Sequence, residues 1–421
     1  MIKSFTCKNF RNINIEDIEL EHINLLIGPN NSGKSNFIDA ITFLSDMLYM
    51  NGENGLRSSF LNLIQKYHWD HMRTCTTDAR TPIEFEWTMD LGKELVQYCF
   101  HFLVGDNAAD CNIVRESLES AFPTGEGNDH PYNYFSFHDI SVGFGAFSSA
   151  AKKKTKNKRI KVGADSKDSI ILQFKDILLA EKTLYEADNV RINIASLLNE
   201  LESSLRGYRH YALSQFDTDE MRTPADPRAI DNHLYADASN FTNMFNKYQA
   251  VDISWKEYFF HHMKELIHDL RQIDVINEYN KLVFKMAYDG GQFDLYDVSE
   301  GTLRGLALNL LLNAPEGEAI EFLAMDEPEL NLHPAWQKIV GAWVQQAANV
   351  RQCLVSTHSP DFMDAFTEGF KQGDVAVFVF DPGASIPIRK IRYDMIKDSL
   401  QDWELGDLYR TNDPALGGWP W

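Results

Sequence analysis

The chain has 421 residues with 44% hydrophobic and 12% aromatic content, enough to bury a real core and to exclude wholesale disorder. Lys and Arg total 40 against 61 Asp and Glu, a formal charge of −21, which excludes broad nucleic-acid binding and confines any such contact to a local patch. No apolar run approaches the roughly 18 residues of a membrane-spanning helix, and the opening MIKSFTCKNFRN carries no signal stretch.

In chain order, IKSFTCKNF alternates as a strand, INLLIG is a short apolar run ending in a glycine loop, and a helix is expected from about Ser35 to Met50 with Phe37, Ile41, Leu44 and Leu48 on one face. Residues 51–279 read as an inserted β and helical lobe. Within it IEFEWTMDL and YCFHFLV look like paired strands. The stretch from Asp106 to about Ser169, rich in Gly, Asn, Ser and Lys, reads as loops. SWKEYFFHHMKELIHDLRQ aligns Phe259, Met263, Leu266 and Leu270 on a helix. Lys152, Lys153, Lys154, Lys156, Lys158, Arg159 and Lys161 form a basic loop at 152–161, either a solvated turn or a contact for nucleic acid or an acidic partner.

From about residue 280 the pattern becomes regular. LVFKMAY, Asp289-Gly290-Gly291 and QFDLYDV signal a hairpin. The helix TLRGLALNLLL, the strand IEFLAM, the helix PAWQKIVGAWVQQAA and the strands QCLVS and DVAVFVF follow. Alternating strands and helices predict an α/β fold with a mostly parallel sheet. Residues 1–50 and 280–380 together are expected to form its split core, with 381–421 as a C-terminal extension. The five cysteines, Cys7, Cys75, Cys99, Cys111 and Cys353, show no CxxC spacing and point to a reducing cytoplasm.

Four segments carry chemistry. Gly28 to Ser35 reads GPNNSGKS, a G-x-x-x-x-G-K-[ST] loop between an apolar strand and an amphipathic helix. Its backbone N–H groups and the helix N-terminus suit phosphates. Asn30, Asn31, Ser32, Gly33, Lys34, Ser35 and Asn36 are the expected nucleotide contacts, with Lys34 on the β- and γ-phosphates and Ser35 on Mg²⁺. IEFLAMDEPELNLHP ends a strand in Asp326, a metal carboxylate, and Glu327, placed to orient or deprotonate a water. His358, in QCLVSTHSPDF, follows another strand, where a neutral imidazole can hydrogen-bond a phosphate or the water. Ser299 and Gly301 open a helix, as a capping box or as an anion-binding cup. His68 with His71, and His261 with His262, lack companion ligands at metal spacing and read as structural.

The order of these segments resembles the ABC-type ATPase heads of the SMC/RecF/OLD group, carried by NFRN before GPNNSGKSN, by SEGTLR, by DEPELNLHP and by STHSP. That resemblance covers about a third of the chain. It implies a P-loop NTPase head with a flanking antiparallel β-subdomain and an inserted helical lobe, using ATP and Mg²⁺. It further implies a homodimer or higher oligomer sandwiching two ATPs, with Ser299 and Gly301 of one protomer closing on the other's γ-phosphate. Arg11 would lie near the nucleotide, Glu329 to His333 would be the loop between protomers, and Gln215 is a weak candidate for the Q-loop. No sustained heptads suggest a long coiled coil, and a tail of about 40 residues is too short for the metal-binding nuclease domain of OLD-type proteins. Three functions follow: a dimerising ATPase switch controlling a partner effector, a nuclease or similar, in DNA repair or anti-phage defence; a DNA-processing ATPase with its own local DNA or RNA contact; or a non-catalytic ATP-dependent scaffold. The complete set of Lys34, Asp326, Glu327 and His358 argues against the last. Trp419 and Trp421 are expected to pack on the chain's own surface rather than dock a partner.

Overall fold

Along Ile83–Asp90 every second side chain is buried, the period that gives a strand one apolar face. The computed structural model describes residues 1–49, 59–75, 77–78, 80–92, 94–123, 130–140, 144–149, 158–180, 188–227, 231–315, 320–381 and 387–416. The chain divides into two units, residues 1–20 with 35–208, and residues 21–34 with 209–421.

The first unit is built on an eight-stranded sheet. Its order is Ile13–Glu19, Ile2–Phe10, Ile83–Asp90, Leu95–Leu103, Asn112–Pro123, Pro131–His138, Phe144–Ser149 and Lys158–Gly163. All its pairs are antiparallel. The apolar face is aromatic. Phe43 stacks on Phe102 with ring centroids 5.3 Å apart, Phe5 meets Trp87 at 5.3 Å, and the Trp87 indole N–H donates to the Ile41 carbonyl at 3.1 Å. That bond fixes the helix Lys34–Tyr49 on the sheet while satisfying the buried donor.

Four of these strands occupy the stretch that reads in sequence as loops between Asp106 and Ser169. The alternation is hidden there because Glu116, Ser117 and Ser120 take buried positions that an apolar pattern would reserve for hydrophobes. Lys158 to Lys161 likewise sit on an edge strand paired with Phe144–Ser149 rather than in a loop. Lys152, Lys153, Lys154 and Lys156, like Trp419 and Trp421, lie outside the described residues.

The second unit holds a six-stranded sheet in the order Tyr208–Ala212, Phe322–Asp326, Gln352–Thr357, Ile23–Ile27, Val375–Phe380 and Ile388–Ile391. The four central strands are parallel neighbours, and Ile388–Ile391 adds antiparallel. Ile23–Ile27, Gln352–Thr357 and Val375–Phe380 are buried at every position, as a parallel sheet covered on both faces requires. Helices Glu300–Leu312 and Pro334–Ala347 bury Leu303, Leu306, Val340 and Trp343 in the same core. A three-stranded antiparallel sheet comprises Leu270–Glu278, Lys281–Tyr288 and Gly291–Asp294, with Tyr288 opposite Gly291 across a tight Asp289-Gly290 turn. The helix read from Ser254 onward ends at Leu266, and Leu270 opens a strand instead of adding another helical turn.

Candidate functional site

The strand order places the C-terminal ends of Phe322–Asp326, Gln352–Thr357 and Ile23–Ile27 side by side. Each end leads directly into one of the segments with candidate chemistry. Open α/β sheets bind ligands at such carboxyl ends.

The phosphate-type loop follows Ile27. Gly28 has φ 146°, and a Cβ there would run into the Phe380 carbonyl, so the turn needs glycine. Asn31 at φ 61° and Gly33 at φ 106° complete the wrap. Lys34, the first residue of its helix, is 6% exposed and folds its ammonium back onto the loop, donating to the carbonyls of Gly28 and Pro29, both at 3.0 Å. Burial pulls its pKa down to about 8, against the opposing pull of Asp326, Glu327 and Glu329. A cation held this way, short of charge partners inside a loop of backbone dipoles, is suited to an anionic ligand.

Asp326 ends its strand and accepts a hydrogen bond from the Ser356 hydroxyl. Glu327 follows at φ 53°, a left-handed conformation that costs a non-glycine residue roughly 1–3 kcal/mol. Its N–H donates to the Ser356 carbonyl and hydroxyl, each at 3.2 Å, so Ser356 sets both acids. Burial, then the neighbouring Asp326 charge, raises the Glu327 pKa. His358 Nε2 stands 3.4 Å from Glu327 Oε1. Burial, assisted by the Lys34 charge, lowers the His358 pKa to about 4, so the imidazole is neutral at physiological pH. A cavity of about 430 Å³ is lined by Asn30, Glu327, Glu329, Asn331 and His358 among others. A larger cavity of about 580 Å³ lies at the opposite strand ends, around His22, Glu368 and Asp374, away from all of these groups.

Ser299 caps helix Glu300–Leu312 by accepting from the Thr302 N–H at 3.2 Å. At Gly301 a Cβ would sit 2.8 Å from the Asn331 carbonyl, and Asn331 Nδ2 donates to Glu300 Oε1 at 3.1 Å, so the cup is tied to the turn after Glu327. Ser299 and Gly301 do not line the 430 Å³ cavity. Within the first unit, Arg11 at φ 48° donates to Asn36 Oδ1 at 2.7 Å and pairs with Asp39 at 2.6 Å, its guanidinium 5.1 Å from the Phe10 ring centroid. Asn36 also donates to Asn12 at 2.8 Å. Gln215 is exposed at the end of a short turn. His262 bridges the Tyr258 carbonyl and Gln346 at 2.9 and 3.1 Å.

The sequence reading passed over Ser356 and gave Glu329 only a place in a loop. Both stand beside recognised motif residues, but their partners lie 28 to 30 positions away in sequence. The one local signal is polarity: Ser356 and Thr357 are fully buried hydroxyls in an otherwise apolar strand.

A family model described as an AAA ATPase domain matches residues 1–363. The chain belongs to that ATPase family. Among solved structures, the SmcHead crystallised with the C-winged helix domain of ScpA is similar at 14% identity and TM-score 0.50, covering 94% of this chain and 99% of that one. The SMC head domain from Thermotoga maritima is similar at 13% identity and TM-score 0.44, covering 93% and 98%. A Pyrococcus furiosus Smc head with an extended coiled coil, bound to the C-terminal domain of ScpA, follows at 12% identity and 0.42, covering 95% and 98%. No curated protein matches. This member of the AAA ATPase domain family therefore has the fold of an SMC- and RecF-like ABC-type ATPase head. Among its described residues no helix is long and apolar enough to cross a membrane.

Proposed function

We propose that the chain binds and hydrolyses ATP with Mg²⁺, dimerises around the nucleotide, and acts as a cytoplasmic switch for a partner effector in DNA repair or anti-phage defence. The observation that carries the hydrolytic reading is the meeting of Lys34, Asp326, Glu327 and His358 at adjacent strand ends, with Lys34, Glu327 and His358 each shifted in pKa by burial and by neighbouring charges.

The residues fit the ligands. Lys34, between two carbonyls, can turn to the β- and γ-phosphates, where a phosphate charge replaces the missing counter-ion. Asn30, Asn31, Ser32 and Gly33 supply the backbone of the cradle, and Asn36 follows on the helix. Ser35 and Asp326 are the donors for Mg²⁺. Among the described residues no three His, Cys, Asp or Glu gather as metal ligands, so phosphate oxygens would complete its shell. Bound there, the ion supplies charge neutralisation on the phosphates. Glu327 accepts the proton of the attacking water, its basicity raised by burial and by the neighbouring Asp326 charge. Neutral His358 donates to or accepts from the same water or a phosphate oxygen.

Dimerisation has its own support. Ser299 and Gly301 present a helix N-terminus yet stay outside the cavity of their own chain, which suits closure on a second protomer's nucleotide. Arg11 is assigned to steadying the start of the nucleotide-loop helix through Asn36 and Asp39. The effector assignment rests on the family resemblance, and a pull-down from the native host tests it. For the hydrolytic reading the decisive measurement pairs ATP affinity with phosphate release. Glu327→Gln should bind ATP like the wild type and release phosphate roughly 10²–10⁴ times more slowly. Turnover within threefold of wild type would remove Glu327 from the base role.

A further inference from the structure

Glu329 lies two residues beyond Glu327 and is almost wholly buried, with relative exposure of 9%. One of its oxygens, Oε1, accepts three hydrogen bonds from consecutive residues of the neighbouring strand end. The donors are the Thr357 hydroxyl at 2.7 Å, the His358 N–H at 2.8 Å and the Ser359 N–H at 3.2 Å. Those residues carry His358 out of the sheet and into helix Pro360–Asp364, which Ser359 caps. The turn that carries Glu327 is closed by its own backbone bonds, Leu330 N–H to the Glu327 carbonyl and Leu332 N–H to the Glu329 carbonyl, both at 3.0 Å. One carboxylate therefore joins the turn bearing Glu327 to the turn bearing His358. Their functional atoms stand 3.4 Å apart.

We infer that Glu329 is a positioning residue for the ATPase site: its carboxylate holds the His358 turn in register with Glu327 and does not itself touch the nucleotide or the water. The inference rests on the hydrolytic reading above. It accounts for a long side chain with an acceptor oxygen at this buried position, where a shorter hydroxyl would not span the two turns. An oxygen on a three-carbon reach gathers these donors at one point, and a buried donor left without an acceptor costs about 1–3 kcal/mol. A second tether backs it. The Ser359 hydroxyl donates to Gln337 Oε1, and Gln337 Nε2 donates to the Leu332 carbonyl at 3.3 Å, so the same two turns are stitched from the other side.

Two variants that both keep a polar group separate reach from charge. Glu329→Gln keeps an acceptor oxygen at the same distance and loses the charge. Glu329→Asp keeps the charge and withdraws the oxygen by one methylene. On the full chain, with steady-state phosphate release and equilibrium ATP-analogue binding, Glu329→Gln should retain at least about a third of wild-type kcat. Glu329→Asp should lose about tenfold or more in kcat, with nucleotide affinity within about threefold of wild type. Combined with His358→Ala, the Asp substitution should cost little beyond the His358→Ala loss, because its effect passes through that histidine. The reverse order of the Gln and Asp variants overturns the inference, as does a double-variant loss equal to the product of the single losses. A wild-type chain that does not release phosphate would instead sink the hydrolytic reading beneath it. A wild type that turns over while both Glu329 variants match it sinks this inference alone.

Discussion

Each of the two units holds a carboxylate whose pKa is driven upward by burial, complete in one and partial in the other, and the two are built for different ends. In the first unit Glu116 is fully buried, and burial pushes its pKa up to about 7. Both its oxygens are engaged: the Tyr98 hydroxyl donates to Oε1, the Ser169 hydroxyl donates to Oε1 at 2.7 Å, and the Ile170 N–H reaches both oxygens at 2.9 Å. It closes the start of helix Ile170–Ala180 and leaves nothing to react with. In the second unit Glu327 is also raised, but it sits in a left-handed turn at a strand end, lines a cavity and faces a neutral histidine. A shifted pKa therefore does not locate a site. Strand-end placement, backbone strain and an open cavity do, and the titration follows from them.

Substitutions should separate the two regions by the quantity they move. The largest effects belong to the second unit. Lys34→Ala should abolish detectable nucleotide binding, checked with a fluorescent ATP analogue, because the loop has no second cation to offer the γ-phosphate. Glu327→Gln should remove turnover while leaving binding and melting temperature near wild type, and by stalling hydrolysis it should accumulate an ATP-bound dimer visible in sedimentation. Ser299→Arg should cut turnover by about tenfold or more yet leave nucleotide binding to the monomer intact. Mixing Ser299→Arg with Lys34→Ala subunits places both lesions in one composite site and neither in the other, so partial activity should return. Heterodimers that form without any rescue would exclude completion in trans.

The legibility of the molecule from sequence follows the same division. The nucleotide-loop motif, the strand ending in Asp326-Glu327 and the turn at His358 depend on residues within a few positions of one another, and their strands and helices lie where the pattern predicts. The links between them do not. Ser356 to Asp326, Thr357 to Glu329 and Asn331 to Glu300 join segments about 30 residues apart, and no local period records them. In the first unit the strands from Asn112 to Gly163 are illegible because Glu116, Ser117 and Ser120 occupy inward positions, and Glu116 and Ser120 answer their burial with hydrogen bonds to residues 12 to 53 positions away.

A smaller effect sharpens the contrast through pH. Lys34 in the free chain titrates at about 8, and a bound phosphate would raise that value because the charged form gains a partner. Binding must then take up a proton at pH values above about 8. ATP affinity should be level below that point and fall by up to about tenfold per pH unit above it. Calorimetry in buffers of different ionisation enthalpy measures the uptake directly. His358, titrating near 4, contributes no step in this range. Affinity that stays flat to pH 9.5, roughly a unit and a half above the Lys34 value, would mean that another cation carries the phosphates.

The smallest effect is expected at Glu116, and it appears in stability rather than activity. Its folded-state pKa of about 7 lies above the ordinary 4.5, so the fold prefers the protonated acid. That preference contributes fully below pH 4.5 and is lost as pH rises through about 7, the opposite sign to a salt-bridged carboxylate. Glu116→Gln is neutral at every pH, so whatever fixed cost its amide adds, it escapes this loss. Between pH 4 and pH 8 the unfolding free energy of the variant should gain on wild type by about 3 kcal/mol. Urea titrations across that range give the difference, and phosphate release at pH 7.5 should match wild type. A stability gap that does not change with pH would show that Glu116 keeps its charge state on unfolding and that its hydrogen bonds, not its burial, decide its titration. A loss of turnover in a folded Glu116→Gln chain would break the comparison itself, since the structural carboxylate would then also serve the site.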